Sequence, residues 1–330
     1  MEINTVHNID FLNNDLPDKC AKLIIADPPY YKVKGDFDFI WKTFDDYLKD
    51  VEKWCLECKR ILADNGTLFW YGNAKNIAYA QIIFDKHFNL INNLVWNKGS
   101  FMGLEESEAL RSFAPCTERI LMYTNKNAVW DSEINLMHEN PNNFKSIKEY
   151  LWNETDSLNM TWKEINRDLL GTTFEGGGGR AYNMLSRTRK RWDFPDKENY
   201  LKLQKSGRFQ KKYEDLRTEY EDLRTEYDDL RRPFNNRFNL QEVLNFSNEQ
   251  SKTGAKYDHD TVKPETLTRA LILTCSREND LVVVPFAGSG TECAMSAKEK
   301  RPFIGYEITE KHAKMSQERA NKILSEPTMF

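Results

Sequence analysis

Two short apolar runs near opposite ends of this 330-residue chain constrain its fold more than any other feature. Leu23-Ile24-Ile25-Ala26 stops at Asp27-Pro28-Pro29-Tyr30, and Leu281-Val282-Val283-Val284 stops at Pro285-Phe286-Ala287-Gly288-Ser289-Gly290-Thr291. Runs of this length, closed by proline or glycine, read as strands buried on both faces. Further strands are expected at 67–71, 90–96, 119–124 and 303–307. Helical spacing covers 39–62, 76–87, 264–275, 291–299 and 309–324. Asp64-Asn65-Gly66 reads as a stop and turn. Strands alternating with helices imply an α/β fold, a mostly parallel sheet covered on both faces.

The alternation breaks between about 125 and 257. This stretch is polar and loop-rich, with a flexible joint at Glu175-Gly176-Gly177-Gly178-Gly179-Arg180. It also holds a repeat: Tyr-Glu-Asp-Leu-Arg-Thr-Glu starts at Tyr213, recurs from Tyr220 and begins again at Tyr227. Tyr213, Leu216, Tyr220, Leu223, Tyr227 and Leu230 form an a/d seam on a charged helix at about 211–232. Glu214–Arg217, Glu221–Arg224 and Asp228–Arg231 are spaced to pair along it. Packing of the seam within the chain is the preferred reading, and a dimerising coiled coil is the alternative.

Charge is distributed unevenly. The net charge is only −4, yet 180–212 carries eleven Lys/Arg against three Asp/Glu, interleaved with Tyr182, Trp192, Phe194, Tyr200 and Phe209. Basic residues among aromatics suit a phosphate backbone, although a solvated helix face would read the same way. A short helix at 195–205 is a candidate to enter a groove. The six scattered cysteines suit reduced thiols, and Cys55-Leu56-Glu57-Cys58 reads as two half-buried helix thiols rather than a metal or redox pair. There is no run of about 18 apolar residues and no secretory pattern at the start, so the expectation is a soluble, cytoplasmic protein without a membrane partner.

The residues that close the two strands carry the chemistry. Pro28 and Pro29 fix the backbone and lack N–H donors, which leaves carbonyls free to accept. Asp27 adds a charged acceptor and Tyr30 a stacking face, so the tetrapeptide can grip a flat ring bearing an NH₂ group. The second loop turns sharply at Gly288 and Gly290 and can lie against a ligand. Glu307, nineteen residues after Gly288, is placed to take both hydroxyls of a ribose. Cys293 stands where a dinucleotide fingerprint would have its third glycine, which disfavours a pyrophosphate and hence a dehydrogenase. Phe286 offers an apolar wall suited to an uncharged nucleoside with a small zwitterionic tail.

Asp-Pro-Pro-Tyr followed much later by Phe-Ala-Gly-Ser-Gly-Thr resembles the amino-group DNA methyltransferases that use S-adenosylmethionine. The order of the two motifs, with a variable region between them, resembles the beta group. His7-Asn8-Ile9-Asp10-Phe11-Leu12, the stretch from Lys59 to Gly66, Val95-Trp96-Asn97-Lys98 and His259-Asp260-Thr261-Val262-Lys263-Pro264 match other motifs of that family. The resemblance implies a Rossmann-like fold with a seven-stranded sheet. It divides the chain into a catalytic half (1–125), a target-recognition insertion (126–256) and a cofactor-binding half (257–330). It implies transfer of a methyl group to N6 of an adenine flipped out of double-stranded DNA, because Asp at the first motif position leans toward adenine. Asp27, Pro28, Pro29 and Tyr30 would be catalytic, with Tyr31 or Phe39 covering the far face of the base. Asp10, Asp27, Lys263, Pro285, Phe286, Ala287, Gly288, Ser289, Gly290, Thr291 and Glu307 would bind S-adenosylmethionine, and Arg187, Arg189, Lys190 and Arg191 would contact DNA. A homodimer and a cognate restriction enzyme are further partners to consider. The chain departs from the pattern at Val284, where the family carries Asp. Alternatives are an N4-cytosine methyltransferase, a methyltransferase acting on protein glutamine or RNA, and a catalytically silent DNA-binding protein on the same fold.

Overall fold

The computed structural model describes residues 2–33, 38–99, 113, 115–126, 143–172, 178–189, 191–247 and 262–326, except for the side chain of Asp228. Lys190, Glu175–Gly177 and His259–Thr261 lie outside them. The chain divides into two compact units, Met1–Ala128 with Arg232–Phe330, and Val129–Arg231.

The first unit begins with β1 (Thr5–His7) and β2 (Ala21–Ala26). Helix α1 (Phe44–Ile61) starts five residues later than its apolar spacing suggests. The Thr43 side chain caps it by accepting from the Asp46 N–H, and Asp45 and Asp46 suit the positive end of the helix dipole. Cys55 and Cys58 are fully rather than half buried on its inner face, and burial pushes the Cys55 thiol up to about 12. Strand β3 (Leu62–Gly72) follows without a break. Between the pairs Ala21–Leu62 and Leu23–Thr67, β2 advances two residues and β3 five. The expected turn at Asp64-Asn65-Gly66 is therefore a bulge within the strand. Helix α2 (Ile77–Phe84), β4 (Phe88–Asn97) and β5 (Thr117–Asn125) complete this half.

The second unit is helical among its described residues, with α3 (Lys145–Leu158), α4 (Gly179–Leu185), α5 (Lys197–Gln204) and α6 (Tyr213–Leu230). Its core joins Phe144, Ile147, Leu151, Trp192, Tyr200 and Phe209 to Leu216 and Tyr220 of the heptad seam. Tyr220 stacks on Phe144 and Phe194, and Leu223 and Tyr227 pack beside it, so this apolar edge is covered within the unit. Only Leu230, at the helix end, is exposed. Glu221 pairs with Arg224 as the spacing suggests, but Glu214 pairs with Lys197 of α5 rather than with Arg217.

The chain then re-enters the first unit. Residues 232–247, expected within the insertion, contribute β6 (Val243–Asn245), which pairs in parallel with β4. Helix α7 (Glu265–Cys275), β7 (Val282–Val284), α8 (Thr291–Lys298), β8 (Phe303–Tyr306) and α9 (Glu310–Leu324) follow. Among the described residues the sheet has eight strands, against the seven expected, in the order β1-β8-β7-β2-β3-β5-β4-β6. Only β5 runs against its neighbours. Side chains alternate between two cores: Ile24, Trp70 and Val283 face α1 and α2, while Leu23, Ile25, Tyr71 and Val284 face α7, α8 and α9.

Candidate active site

The two strands that end in unusual loops are neighbours at the centre of the sheet. Ile24 lies opposite Val283, and three residues further along each strand come Asp27 and Phe286. From this pair the chain proceeds outward in both directions, to β3 on one side and β8 on the other. Such a reversal opens a crevice beyond the carboxyl ends of the strands.

Asp27 is held on both carboxylate oxygens. The Tyr30 hydroxyl donates to one at 2.6 Å, and Lys263 Nζ lies 2.6 Å from the other. Lys263 also reaches Glu118 at 3.4 Å, and Glu118 forms a second ion pair with Lys98. The ammonium of Lys263 is buried among the rings of Tyr30, Tyr71 and Trp96, 5.2–5.9 Å from their centroids. Burial pushes the Asp27 carboxyl above its ordinary value and the Glu118 charge adds to the rise, while Lys263 and Tyr30 offset part of it. Burial acts on Glu118 in the same direction, but there Lys263 and Lys98 together win and hold it below the ordinary range. Lys263, expected at the cofactor, is thus placed against Asp27.

Glu118, Lys98 and Tyr71 were not singled out as site residues. The signal for Glu118 was faint: one acid at the head of an apolar strand, on the same face as Ile120 and Met122. The loop after Tyr30 is secured by Asp38, whose carboxylate accepts from the Tyr30 N–H and whose carbonyl accepts from Lys32. Phe39 is 58% exposed, and the Tyr31 ring packs on Phe44 and Tyr47.

The glycine loop is fixed from behind by α9. The Ser316 hydroxyl donates to the Gly288 carbonyl at 2.7 Å, and Arg319 donates to the Ser289 carbonyl and the Thr291 hydroxyl. Gly290 has φ +77°, and a Cβ there would lie 2.6 Å from Ser316 Cα, so only glycine serves. Pro285, Ala287 and Ser289 are buried. The Phe286 ring meets Phe11, Trp54 and Trp70 edge-on. Glu307 follows β8 and accepts from the N–H groups of Gly288 and Thr309, each at 2.9 Å. Asp10 follows β1 at the same end of the sheet, exposed, and caps the turn at Phe11–Asn13. The loop runs into α8, whose Glu292 is buried with Oε1 lacking a hydrogen-bond partner among the described residues.

The basic residues of the second unit stand apart from its core. Arg187, Arg189 and Arg191 are exposed. Arg187 pairs with Asp156 at 2.6 Å and lies over the Trp152 ring. Trp192, Tyr200 and Phe209, read as interleaved aromatics, are instead buried as core. Tyr200 and Leu203 likewise turn one face of α5 inward.

A family model described as DNA methylase (N6_N4_Mtase) matches residues 21–318. The chain belongs to this DNA methylase family. The DNA adenine methyltransferase YhdJ of Escherichia coli is 25% identical over 309 residues, 92% of this chain and 77% of YhdJ. The type II methyltransferase M1.MboII of Moraxella bovis is 24% identical over 340 residues, 99% and 98% of the two chains. Among solved structures, the M1.HpyAVI–SAM complex superposes with a TM-score of 0.51 at 16% identity, covering 96% of this chain and 98% of that one. The cytosine-N4-specific PvuII DNA methyltransferase superposes with a TM-score of 0.53 at 11% identity, covering 97% and 92%. These likenesses establish the methyltransferase fold for this DNA methylase.

Proposed function

We propose that this DNA methylase transfers a methyl group from S-adenosylmethionine to N6 of an adenine flipped out of double-stranded DNA, at a specific sequence, as a beta-group enzyme. The observation that carries this reading is the juxtaposition of Asp27-Pro28-Pro29-Tyr30 with the glycine loop on adjacent strands. The adenine-specific YhdJ, a relative along most of the chain, supports N6 as the target atom. The type II name of M1.MboII supports a cognate restriction enzyme. No described helix is long and apolar enough to cross a membrane.

The loop suits the cofactor. Glu307 spends two acceptor sites on backbone N–H groups, and a carboxylate has about four, so two remain for ribose hydroxyls. Asp10 stands at the same sheet end for the adenine, and residues 285–291 line the remainder. When bound, S-adenosylmethionine supplies an electrophilic methyl group on sulfur.

The amine of the target base is a poor nucleophile because its lone pair is delocalised into the ring, and in a duplex it is out of reach until flipped. Asp27 accepts one amine proton and the Pro28 carbonyl the other, which turns the nitrogen lone pair out of the ring plane. Tyr30 stacks on the base. Lys263 keeps Asp27 oriented and ionised, and Glu118 with Lys98 anchors Lys263. The nitrogen loses one proton as it gains the methyl group, and Asp27 is the acceptor at hand. Positioning of this kind contributes about 7–11 kcal/mol in favourable cases. Arg187, Arg189, Lys190 and Arg191, with the rest of the second unit, contact the DNA.

The test is to express the chain in a host without adenine methylation and sequence the genome for N6-methyladenine, beside Asp27→Ala. A recurring methylated site is expected, with its signal reduced about 100- to 10,000-fold in the variant. N4-methylcytosine at a recurring site would move the target to cytosine. A folded, cofactor-binding protein that leaves no methylated base would leave a silent DNA-binding protein.

A further inference from the structure

The glycine-loop end of the crevice contains a buried carboxylate, Glu292, one oxygen of which has no hydrogen-bond partner among the described residues. Val284 ends β7 where the resembled motif has Asp, and its side chain is buried against α8. Glu292 lies in the first turn of α8, beside Cys293, Ala294 and Met295 of that same core. It is only 4% exposed, and Oε1 has no hydrogen-bond partner among the described residues. The Tyr71 hydroxyl, on the same face of the sheet, is also buried and has no hydrogen-bond partner among the described residues.

A buried carboxylate oxygen and a buried phenol hydroxyl left open beside a ligand loop are a strong reason to look for a ligand group, because an unsatisfied buried polar group is costly. The cations near Glu292 are engaged elsewhere, Lys263 with Asp27 and Arg319 with Glu265 and the loop. We infer that Glu292 accepts the α-ammonium group of the cofactor's methionine tail, with the Tyr71 hydroxyl as a second acceptor. This rests on the S-adenosylmethionine reading. An ammonium offers three donors and no acceptor, so it can donate to the Glu292 carboxylate and to the lone pairs of the Tyr71 oxygen. The groups that set the charge on Glu292 agree. Burial, with Asp27 of β2 adding to it, pushes its carboxyl up to about 7, against a hydrogen bond from its own backbone N–H, Lys263 ahead of α7 and Arg319 of α9. Tyr71 of β3 and Cys293 of α8 face it as neutral groups. Without a ligand cation the site therefore holds a proton for part of the time at neutral pH, and an ammonium would displace it.

Calorimetry on the full chain and on Glu292→Gln, with three probes, tests this. The probes are S-adenosylmethionine, its analogue lacking the α-amino group, and 5′-methylthioadenosine, which lacks the whole tail. The wild type is expected to bind S-adenosylmethionine about 10- to 100-fold more tightly than the deaminated analogue. Glu292→Gln is expected to lose that factor for S-adenosylmethionine, lose nothing further for the analogue, and bind 5′-methylthioadenosine like the wild type. A variant that keeps the full preference for the amino group overturns the assignment. A second measurement needs only the wild type: at pH 6.5, in buffers of differing ionisation enthalpy, S-adenosylmethionine should release more protons than the deaminated analogue, because the ammonium displaces the proton that burial holds on Glu292. Equal proton counts for the two ligands overturn the assignment. If the wild type binds neither S-adenosylmethionine nor 5′-methylthioadenosine, the cofactor reading falls and takes this inference with it.

Discussion

Asp27 and Glu118 are carboxylates withdrawn from water with lysines beside them, whereas Arg187, Arg189 and Arg191 of the second unit stand in solvent around an aromatic core. Both regions combine charge with rings, in opposite arrangements. At the strand ends the charges are inside, and the rings of Tyr30, Tyr71 and Trp96 enclose Lys263. In the second unit the rings of Trp192, Tyr200 and Tyr220 are inside and the charges face outward. A buried charge is fixed in place by the cost of moving it, which suits chemistry at a single atom. Exposed arginines can follow a polyanion's shape at little cost to the fold.

The sharpest way to break this contrast is Lys263→Met, which removes the cation and leaves two acids facing each other. Loss of one partner from a buried ion pair costs about 3–5 kcal/mol, so a large drop in the urea midpoint is expected. An unchanged midpoint would mean that water already screens the cluster. Tyr220→Ala probes the other region. Its ring lies between Phe144 and Phe194, and truncating a buried aromatic costs about 3–5 kcal/mol. Circular dichroism should report lost stability, with no change in sedimentation if the seam serves only its own unit.

The two regions also differ in how far the sequence revealed them. Apolar runs closed by Asp-Pro-Pro-Tyr and by the glycine loop located the crevice, because strand ends in a parallel sheet carry residues that no plain turn needs. The partners that arrive from distant parts of the chain were hidden. Glu118 reads as one more strand residue until β5 pairs with β3, and Glu292 as an ordinary first-turn acid until α8 covers the sheet. Strand β6 was missed because three residues beside a polar loop carry almost no periodic signal, and its pairing with β4 makes it a strand. In the second unit the basic-aromatic pattern was visible but ambiguous. Trp192 and Arg191 are adjacent in sequence, and only packing shows that one is core and the other surface.

A milder test lies on the exposed side. Replacing Arg187, Arg189 and Arg191 together with alanine should change stability by no more than about 0.5 kcal/mol for each substitution. Binding to duplex DNA should weaken for all sequences alike, and the slope of log K against log salt should shrink by about 0.9 for each arginine that meets a phosphate. Arg187 is expected to contribute least, since Asp156 and the Trp152 ring already hold it. Loss of sequence preference without a change in salt slope would instead assign these arginines to base edges.

The smallest expected effect is a shift in a pH profile. In the proposed mechanism Asp27 must be ionised to accept the amine proton, so activity is expected to fall as pH drops through its pKa. Burial first, and then the Glu118 charge, place that pKa above the ordinary value of about 3.9. The acid limb of kcat/KM should therefore lie at higher pH than a free carboxylate would give. Glu118→Gln removes the repelling charge and leaves Lys263 to Asp27 alone. Both changes favour the ionised form, so the acid limb should move to lower pH while the plateau is largely kept. A limb that moves upward would show that Glu118 acts chiefly by holding Lys263 against Asp27, so that losing the anchor outweighs losing the repulsion. The direction of that one shift separates the two ways in which a buried acid can serve its neighbour.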